Sequence, residues 1–375
     1  MCIYEKTNKV LGKVKISGGG RCNVTHACFG IKDLIRYYPR GSRELMGPFH
    51  RFQPSDTMQW FEERGVALKT EPDGRVFPVT DKSQTIIDCL TGEADRLGIE
   101  LHTAHDLDSI ELVQGGGFQL HFTGKSGFVF VDRLIVTTGS SEKVWKMLKG
   151  MGHHVLSPVP SLFTFNIRDE RLMDFQGVSW PEVEVRDQAF GHRTTGPLLI
   201  THWGLSGPVI LKLSAIGAVD FHKAGYRFDI ALNFMYPEKT DTVAAFFLGY
   251  KQNNPNKPVG QSPPGHFTAR LWQSWTDLWG FGKKNWQEIS KKEIGLISRQ
   301  ITEAIFKVEG KSTFKEEFVT CGGVDLKEVD LKTMESKKIP GLYFAGEVLN
   351  IDALTGGFNF QAAWTTGWIA GTTLN

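Results

Sequence analysis

Ser17-Gly18-Gly19-Gly20-Arg21-Cys22-Asn23 is the stretch from which the fold of this 375-residue chain is read. Three consecutive glycines let a backbone approach a ligand closely, and their N–H groups can form a nest for an anion. Arg21 offers a partner for a pyrophosphate, and Asn23 offers both a donor and an acceptor. A flexible turn is the plainer reading; against it, Arg21-Cys22-Asn23-Val24-Thr25 is not linker composition. A strand followed by a small-residue turn occurs twice more. Leu134-Ile135-Val136-Thr137 is nearly continuous apolar, as a strand buried on both faces would be, and runs into Thr138-Gly139. Leu342-Tyr343-Phe344-Ala345 runs into Gly346-Glu347. Then Gly356-Gly357-Phe358-Asn359-Phe360-Gln361 opens a helix expected over 362–371. A helix N-terminus carries partial positive charge and free N–H groups, which suit a phosphate or an anionic ring edge. Asn359 and Gln361 add hydrogen-bonding groups there.

Upstream, residues 1–4 read as the back half of a strand ending at Glu5-Lys6. In dinucleotide-binding folds an acidic residue at the end of the second parallel strand binds ribose hydroxyls, about 20 residues after a G-x-G-x-x-G turn. Counting back about 20 residues from Glu5 passes Met1, and no G-x-G-x-x-G occurs elsewhere. Alone, Glu5 is as well read as a solvated loop carboxylate. Downstream, helices are expected over 55–64, with Ser55 as N-cap, and over 86–97, each stopped by glycine. Short strands are expected at 66–70 and 99–103. Runs at 107–113, 118–122 and 128–137, separated by short glycine breaks, suit an antiparallel meander.

From about 159 the character changes. Strands at 162–167, 181–185 and 228–234 mix with helices near 208–217 and 238–250. Trp272, Trp275 and Trp279 recur at i, i+3, i+7, one face of a helix. A buried stripe and a partner-binding patch are the two readings. Past 318 the glycines return at Cys321-Gly322-Gly323. The pattern is that of an α/β domain over 1–158 and 317–375, interrupted by a mixed β/α domain over 159–316.

Composition excludes several classes. Lys+Arg total 43 and Asp+Glu 41, leaving +2, which argues against a general nucleic-acid or anionic-membrane binder. A 41% hydrophobic fraction excludes disorder, and no apolar run approaches the ~18 residues of a membrane span. Cys2, Cys22, Cys28, Cys89 and Cys321 are odd in number and scattered, so a reducing cytoplasm is expected rather than a disulfide framework. Cys22, His26 and Cys28 fit no standard zinc spacing, and no metal is expected. Gly204-Leu205-Ser206-Gly207-Pro208 departs from the nucleophile elbow G-x-S-x-G at its last position. Ser206 or Gly207 as N-cap before Pro208 is the simpler account.

Taken in order, 15–25 (KISGGGRCNVT), 199–208 (LITHWGLSGP), 320–324 (TCGGV), 341–347 (GLYFAGE) and 355–361 (TGGFNFQ) carry a resemblance. The chain resembles a bacterial family of NAD(P)/FAD-dependent oxidoreductases, of aminoacetone-oxidase-like and bile-acid-reductase-like type. The resemblance implies a glutathione-reductase-like FAD domain, a parallel sheet plus a β-meander, with an inserted domain. It implies Glu5 and Lys6 at the adenosine ribose, and Ser17 to Asn23 along the pyrophosphate and flavin. Thr138-Gly139 would pass near the FAD, Gly346-Glu347 would hold the ribityl-phosphate side, and Gly356 to Gln361 the pyrimidine edge. The first strand, G-x-G-x-x-G turn and first helix of that family are absent. The expectation is therefore a start inside strand two or a truncated product.

The expected function is hydride transfer through flavin N5 to or from a small organic substrate, with NAD(P)H as a transient reductant. Arg21, Cys22, His202 and Cys321 are the candidate substrate-side groups. Cys22 and Cys321 form no C-x-x-C, which disfavours a thiol–disulfide mechanism. The alternative is a flavin-free binding module with the tryptophan-rich insertion as its contact surface.

Overall fold

The computed structural model describes residues 1–312 and 319–374. The chain divides into two compact units, Met1–Val159 with Lys315–Asn375, and Pro160–Phe314. The second expected junction, at 316/317, lies outside the described residues.

In the first unit, Cys2–Tyr4 pairs in parallel with Glu100–His102, Cys2 opposite Glu100. Leu134–Val136 pairs in parallel with Leu342–Phe344, Val136 opposite Phe344. Two short antiparallel strands, Glu335–Ser336 and Val329–Asp330, extend this second pair. Leu107–Leu112, Phe118–Phe122 and Val129–Val131 form the meander. Phe118, Leu120 and Phe122 are buried while Gln119 and His121 are only half-buried, the period-two pattern of a strand with one covered face.

The single strand expected over 128–137 is two strands. It breaks at Asp132-Arg133, so that Val129–Val131 serves the meander and Leu134–Val136 the parallel pair. Leu134 and Ile135 are half-buried rather than covered on both faces.

Helix ends follow local chemistry. Glu142–Gly150 starts at Ser141, whose Oγ accepts from Val144 N–H at 3.4 Å, and buries Val144, Trp145 and Leu148 at i, i+1, i+4 spacing. Pro54–Glu62 starts one residue before the expected cap. Pro54 occupies the first helical position, and Gln53 N–H donates to the Asp56 carboxylate at 2.7 Å. The last helix, Phe358–Thr373, begins four residues earlier than expected because Gly357, at φ 91°, is its N-cap. Trp145, Leu148, Leu342, Phe344 and Ile369 share one apolar core.

The second unit is a seven-stranded antiparallel sheet. Its order is Ala304–Val308, Phe228–Asn233, Ser179–Asp187, Arg193–Thr201, Gly204–Ser206, Thr164–Asn166, Gly310–Ser312. The first and last of these strands are separated in sequence by Glu309 alone. Their ends therefore lie within about 7 Å of each other, and the sheet curls until its two edges meet. Pro181 is accommodated where the register shifts between Trp180 and Val183. Gly207, at φ 95°, caps Pro208–Ile216, with Pro208 first in the helix; a Cβ at Gly207 would meet the Pro197 carbonyl at 2.8 Å.

Helix Ala269–Leu278 points Trp272 and Trp275 into the core, with Trp286 beside them, all three fully buried. Trp272 Nε1–H donates to the Val259 carbonyl (2.7 Å) and Trp275 Nε1–H to that of Arg171 (2.6 Å). The stripe is core, so it offers no contact surface. Among the described residues no helix is long and apolar enough to cross a membrane.

Candidate functional site

The parallel register of Leu134–Val136 with Leu342–Phe344 sets the turns that follow these strands side by side. Ligands of open α/β sheets bind at such carboxyl ends. Gly139 turns at φ 60° and Gly346 at φ 73°, and a Cβ at Gly139 would stand 3.9 Å from Glu347 Oε2. Gly346 N–H donates to Thr366 Oγ1 at 2.9 Å, which ties this turn to the last helix. Thr138, just before, is exposed. Burial pushes the Glu347 carboxyl above its ordinary value; nearby Lys13 opposes the shift and Asp352 adds to it.

Lys13 belongs to the segment that ends in the glycine run. Helical backbone stops at Ser17, which is extended, and Gly18, Gly19 and Gly20 follow at φ 56°, 68° and 83°. All three glycines are exposed. Asn23 then turns inward. Its amide oxygen accepts from Gly357 N–H (2.9 Å), and its amide nitrogen donates to the carbonyls of Thr25 (2.9 Å) and Val76 (3.2 Å). A Cβ on Gly357 would lie 2.6 Å from the Thr25 carbonyl, so glycine is required there. Three blocks distant in sequence, 13–23, 139 with 346–347, and 356–357, thus converge.

Several side chains expected to face a ligand are engaged within the chain. Arg21 pairs with Glu71 (2.7 Å) and Asp81 (3.4 Å) and lies 4.0 Å from the Phe77 ring centre, so its charge is already neutralised. Asn359 binds both the N–H (2.9 Å) and the carbonyl (3.1 Å) of Ala353. Gln361 is fully buried; its oxygen accepts from Thr25 Oγ1 (2.6 Å) and Thr57 Oγ1 (2.9 Å), and its nitrogen donates to Thr365 Oγ1 (3.1 Å). These three, with Asn23, are bonded within the chain. They hold the shape of the site, and what they leave for a ligand is backbone N–H at the helix start and along the glycines.

Burial disfavours the thiolate form of both candidate cysteines. Burial pushes Cys22 to about 11, with Ser17 opposing, and pushes Cys321 to about 11, with Arg40 opposing. Arg40 forms a two-pronged ion pair with the fully buried Asp352. Gly322 and Gly323 pack on chain backbone, at Ser157-Pro158 and Val348-Leu349, rather than on open space.

Glu5 follows the first parallel strand, half-buried, with one carboxylate oxygen accepting from Thr7 N–H (2.8 Å) and Thr7 Oγ1 (2.9 Å); Lys6 is exposed. Their nearest described partners are not the three converging blocks. His202 lies in the other unit, exposed on the turn after Arg193–Thr201.

Sequence reasoning passed over His26, weighed only as a metal ligand. Its ring stacks on Phe358 at 4.5 Å, beside the helix start. Nε2–H donates to the Asp73 carbonyl (3.0 Å), which leaves Nδ1 as the lone-pair nitrogen, buried and without a partner. Burial holds His26 below its ordinary value, so it stays a neutral acceptor. The only sequence signal was its place three residues after Asn23.

Comparison with known proteins agrees with this architecture. The HI0933-like protein Rossmann domain family matches residues 1–373. A ribosomal RNA dihydrouridine synthase of Escherichia coli K12 is 27% identical over 95% of this chain and 87% of its own length. A 3-dehydro-bile acid delta(4,6)-reductase of Clostridium scindens is 23% identical over 98% of this chain and 91% of its own. The crystal structure of a 3-ketosteroid-delta4-(5alpha)-dehydrogenase from Rhodococcus jostii RHA1 shares the fold, with a TM-score of 0.52 at 11% identity, covering 99% of this chain and 91% of that one. The expected fold class, a FAD-domain-like parallel sheet with a meander and a further mixed β/α unit, therefore holds. The chain belongs to the HI0933-like Rossmann family.

Proposed function

We propose that this chain is an FAD-dependent oxidoreductase passing hydride between flavin N5 and a small organic substrate, with NAD(P)H as transient reductant. The single observation that carries the reading is the convergence of Gly139, Gly346-Glu347 and the Gly357 helix start on the glycine run through Asn23 and Lys13. The residues present fit the cofactor: exposed positive-φ glycines, a half-buried carboxylate, a helix N-terminus and an orphaned acceptor, His26 Nδ1. FAD, when bound, supplies hydride transfer at N5.

The chain's own groups would bind and orient. Gly18 to Gly20 offer backbone N–H to the pyrophosphate. Glu347 accepts from ribityl hydroxyls, and Glu5 from the adenosine ribose. Phe358–Thr373 presents its positive end to the pyrimidine edge. His26 Nδ1 would accept a hydrogen bond from a ring N–H. Thr138 lies at the mouth of the same turn.

The relatives' names supply the substrate chemistry for this reading. A dihydrouridine synthase and a delta(4,6)-reductase both saturate a C=C conjugated with a carbonyl, and the same acceptor is proposed here. No dinucleotide fingerprint for NAD(P)H occurs in the sequence, which favours brief NAD(P)H binding. The five cysteines are all free thiols, which supports a reducing, cytoplasmic setting.

The test is direct. The full chain, purified, incubated with FAD and desalted, is expected to retain flavin by visible absorbance, and Gly346→Val to lose it. A colourless protein after reconstitution overturns the proposal.

A further inference from the structure

The seam where the second unit's sheet closes carries a cavity of about 680 Å³. That size lies within the roughly 300–1,000 Å³ of small-ligand pockets. Its lining includes Arg168, Arg227 and Lys307, with Glu309, His202 and Trp203. The topology brings them together. Arg168 follows Thr164–Asn166, Arg227 precedes Phe228–Asn233, Lys307 points outward from Ala304–Val308, and Glu309 is the single residue joining the two edge strands. Glu309 N–H donates to the Asn166 carbonyl at 2.9 Å, which fixes the seam.

Three cations face one carboxylate in this groove. Among the described residues, none of the three has a hydrogen bond or ion pair from its side chain. Lys307 stands opposite Asp229 in the ladder, and the two form no ion pair. By contrast Arg171, in the same unit, is held by Asp169 and lies over Phe306. Unneutralised cations around one cavity create a field that an anion relieves.

Trp203 is the second observation. Four other tryptophans of this unit are fully buried, whereas Trp203 is 60% exposed. Its backbone is nonetheless fixed: its carbonyl accepts from Ile167 N–H (2.9 Å) and its N–H donates to Thr201 Oγ1 (3.3 Å). An exposed indole on a fixed backbone, beside cations, is a platform for a flat ring. Asn166 Oδ1 accepts from Ser312 Oγ at 2.7 Å, which orients its NH₂ as a further donor.

We infer that this groove is a nucleotide subsite, with Arg168, Arg227 and Lys307 on the phosphate, Trp203 under the base and Glu309 accepting from ribose hydroxyls. A bare phosphate would leave Trp203 without a role and would meet Glu309 as a repulsive neighbour; a nucleotide uses all five. The whole-chain charge of +2 is a sum and does not bear on this local excess. The same chemistry comes from two sources, a free dinucleotide such as NADPH or a nucleotide within single-stranded RNA. The inference stands on the groove and not on the flavin reading, so a chain that fails to take up FAD still tests it.

The test uses the full chain, with two probes and two variants. NADPH binding is read from energy transfer between tryptophan and nicotinamide, and a fluorescein-labelled single-stranded oligouridylate is read by polarisation. At least one probe is expected to bind and to lose at least tenfold in affinity in both Arg168→Glu/Lys307→Glu and Trp203→Ala. Circular dichroism confirms that each variant folds. Loss confined to NADPH assigns the free dinucleotide. Loss for RNA, with a salt dependence that flattens in the charge variant, assigns the polymer. If neither probe binds, or if affinity for both is unchanged in folded variants, the inference is overturned.

Discussion

Glu347 is where residue chemistry and function meet. Its carboxyl is raised by burial, so the folded chain holds that proton more tightly than the unfolded chain does. The resulting stabilisation is complete below the unfolded value of about 4.3 and is lost as pH rises through the higher folded value. Glu347→Gln is therefore expected to raise the melting temperature of the FAD-free protein by a few degrees at pH 7 and to leave it nearly unchanged at about pH 4. Its FAD affinity is expected to fall, because one of the two carboxylate oxygens able to accept from ribityl hydroxyls is replaced by an NH₂ donor; melting curves at the two pH values and a flavin titration check both. The cysteines make a second case. Cys2 is exposed, whereas Cys22 and Cys321 are buried and pushed to about 11. A disulfide reagent at pH 8 is expected to label Cys2 at once and to reach Cys22 and Cys321 only after denaturant is added. Residue types alone offered Cys22 and Cys321 as candidates, since a thiol's reactivity depends on its surroundings.

At the scale of elements, glycine-marked boundaries were legible and side-chain assignments were not. Gly207 before Pro208 marked its helix correctly, because φ above zero and a proline at the first position are local properties. Helix Phe358–Thr373 begins four residues before the expected start, because Phe358 to Gln361 read as ligand groups, while Asn359 folds back on Ala353 just upstream and Gln361 reaches Thr25 and Thr57, some 300 residues away in sequence. Gly357→Ala is expected to cost roughly 2–4 kcal/mol. Its Cβ would strike the Thr25 carbonyl and break the approach of Asn23. A urea midpoint that drops at unchanged slope checks this. The tryptophan helix was correctly periodic, but periodicity does not say which side a stripe faces. Trp275→Ala is expected to cost about 3–5 kcal/mol in the same assay, since a fully buried indole and its hydrogen bond to Arg171 are both lost.

For the whole molecule, the flavin reading has a thermodynamic signature. FAD at about 100 times its dissociation constant is expected to add roughly 2.7 kcal/mol to stability, measured as a rise in melting temperature that scales with FAD concentration. No rise would contradict it. The sequence by itself determined the family, the alternation of strands with glycine turns, and the change of character near residue 159, because these depend on local conformation and on residue order. Tertiary structure alone decided that Arg21, Asn359 and Gln361 are engaged within the chain and that His26 has an unpartnered nitrogen at the helix start. It alone brought three cations and Trp203 to one seam. The physical reason is common to all of these. A side chain's charge state and free valences are set by whichever groups the fold brings against it, six residues away for Asn359 and tens to hundreds away for Arg21, His26 and Gln361, and no local pattern encodes which groups those are.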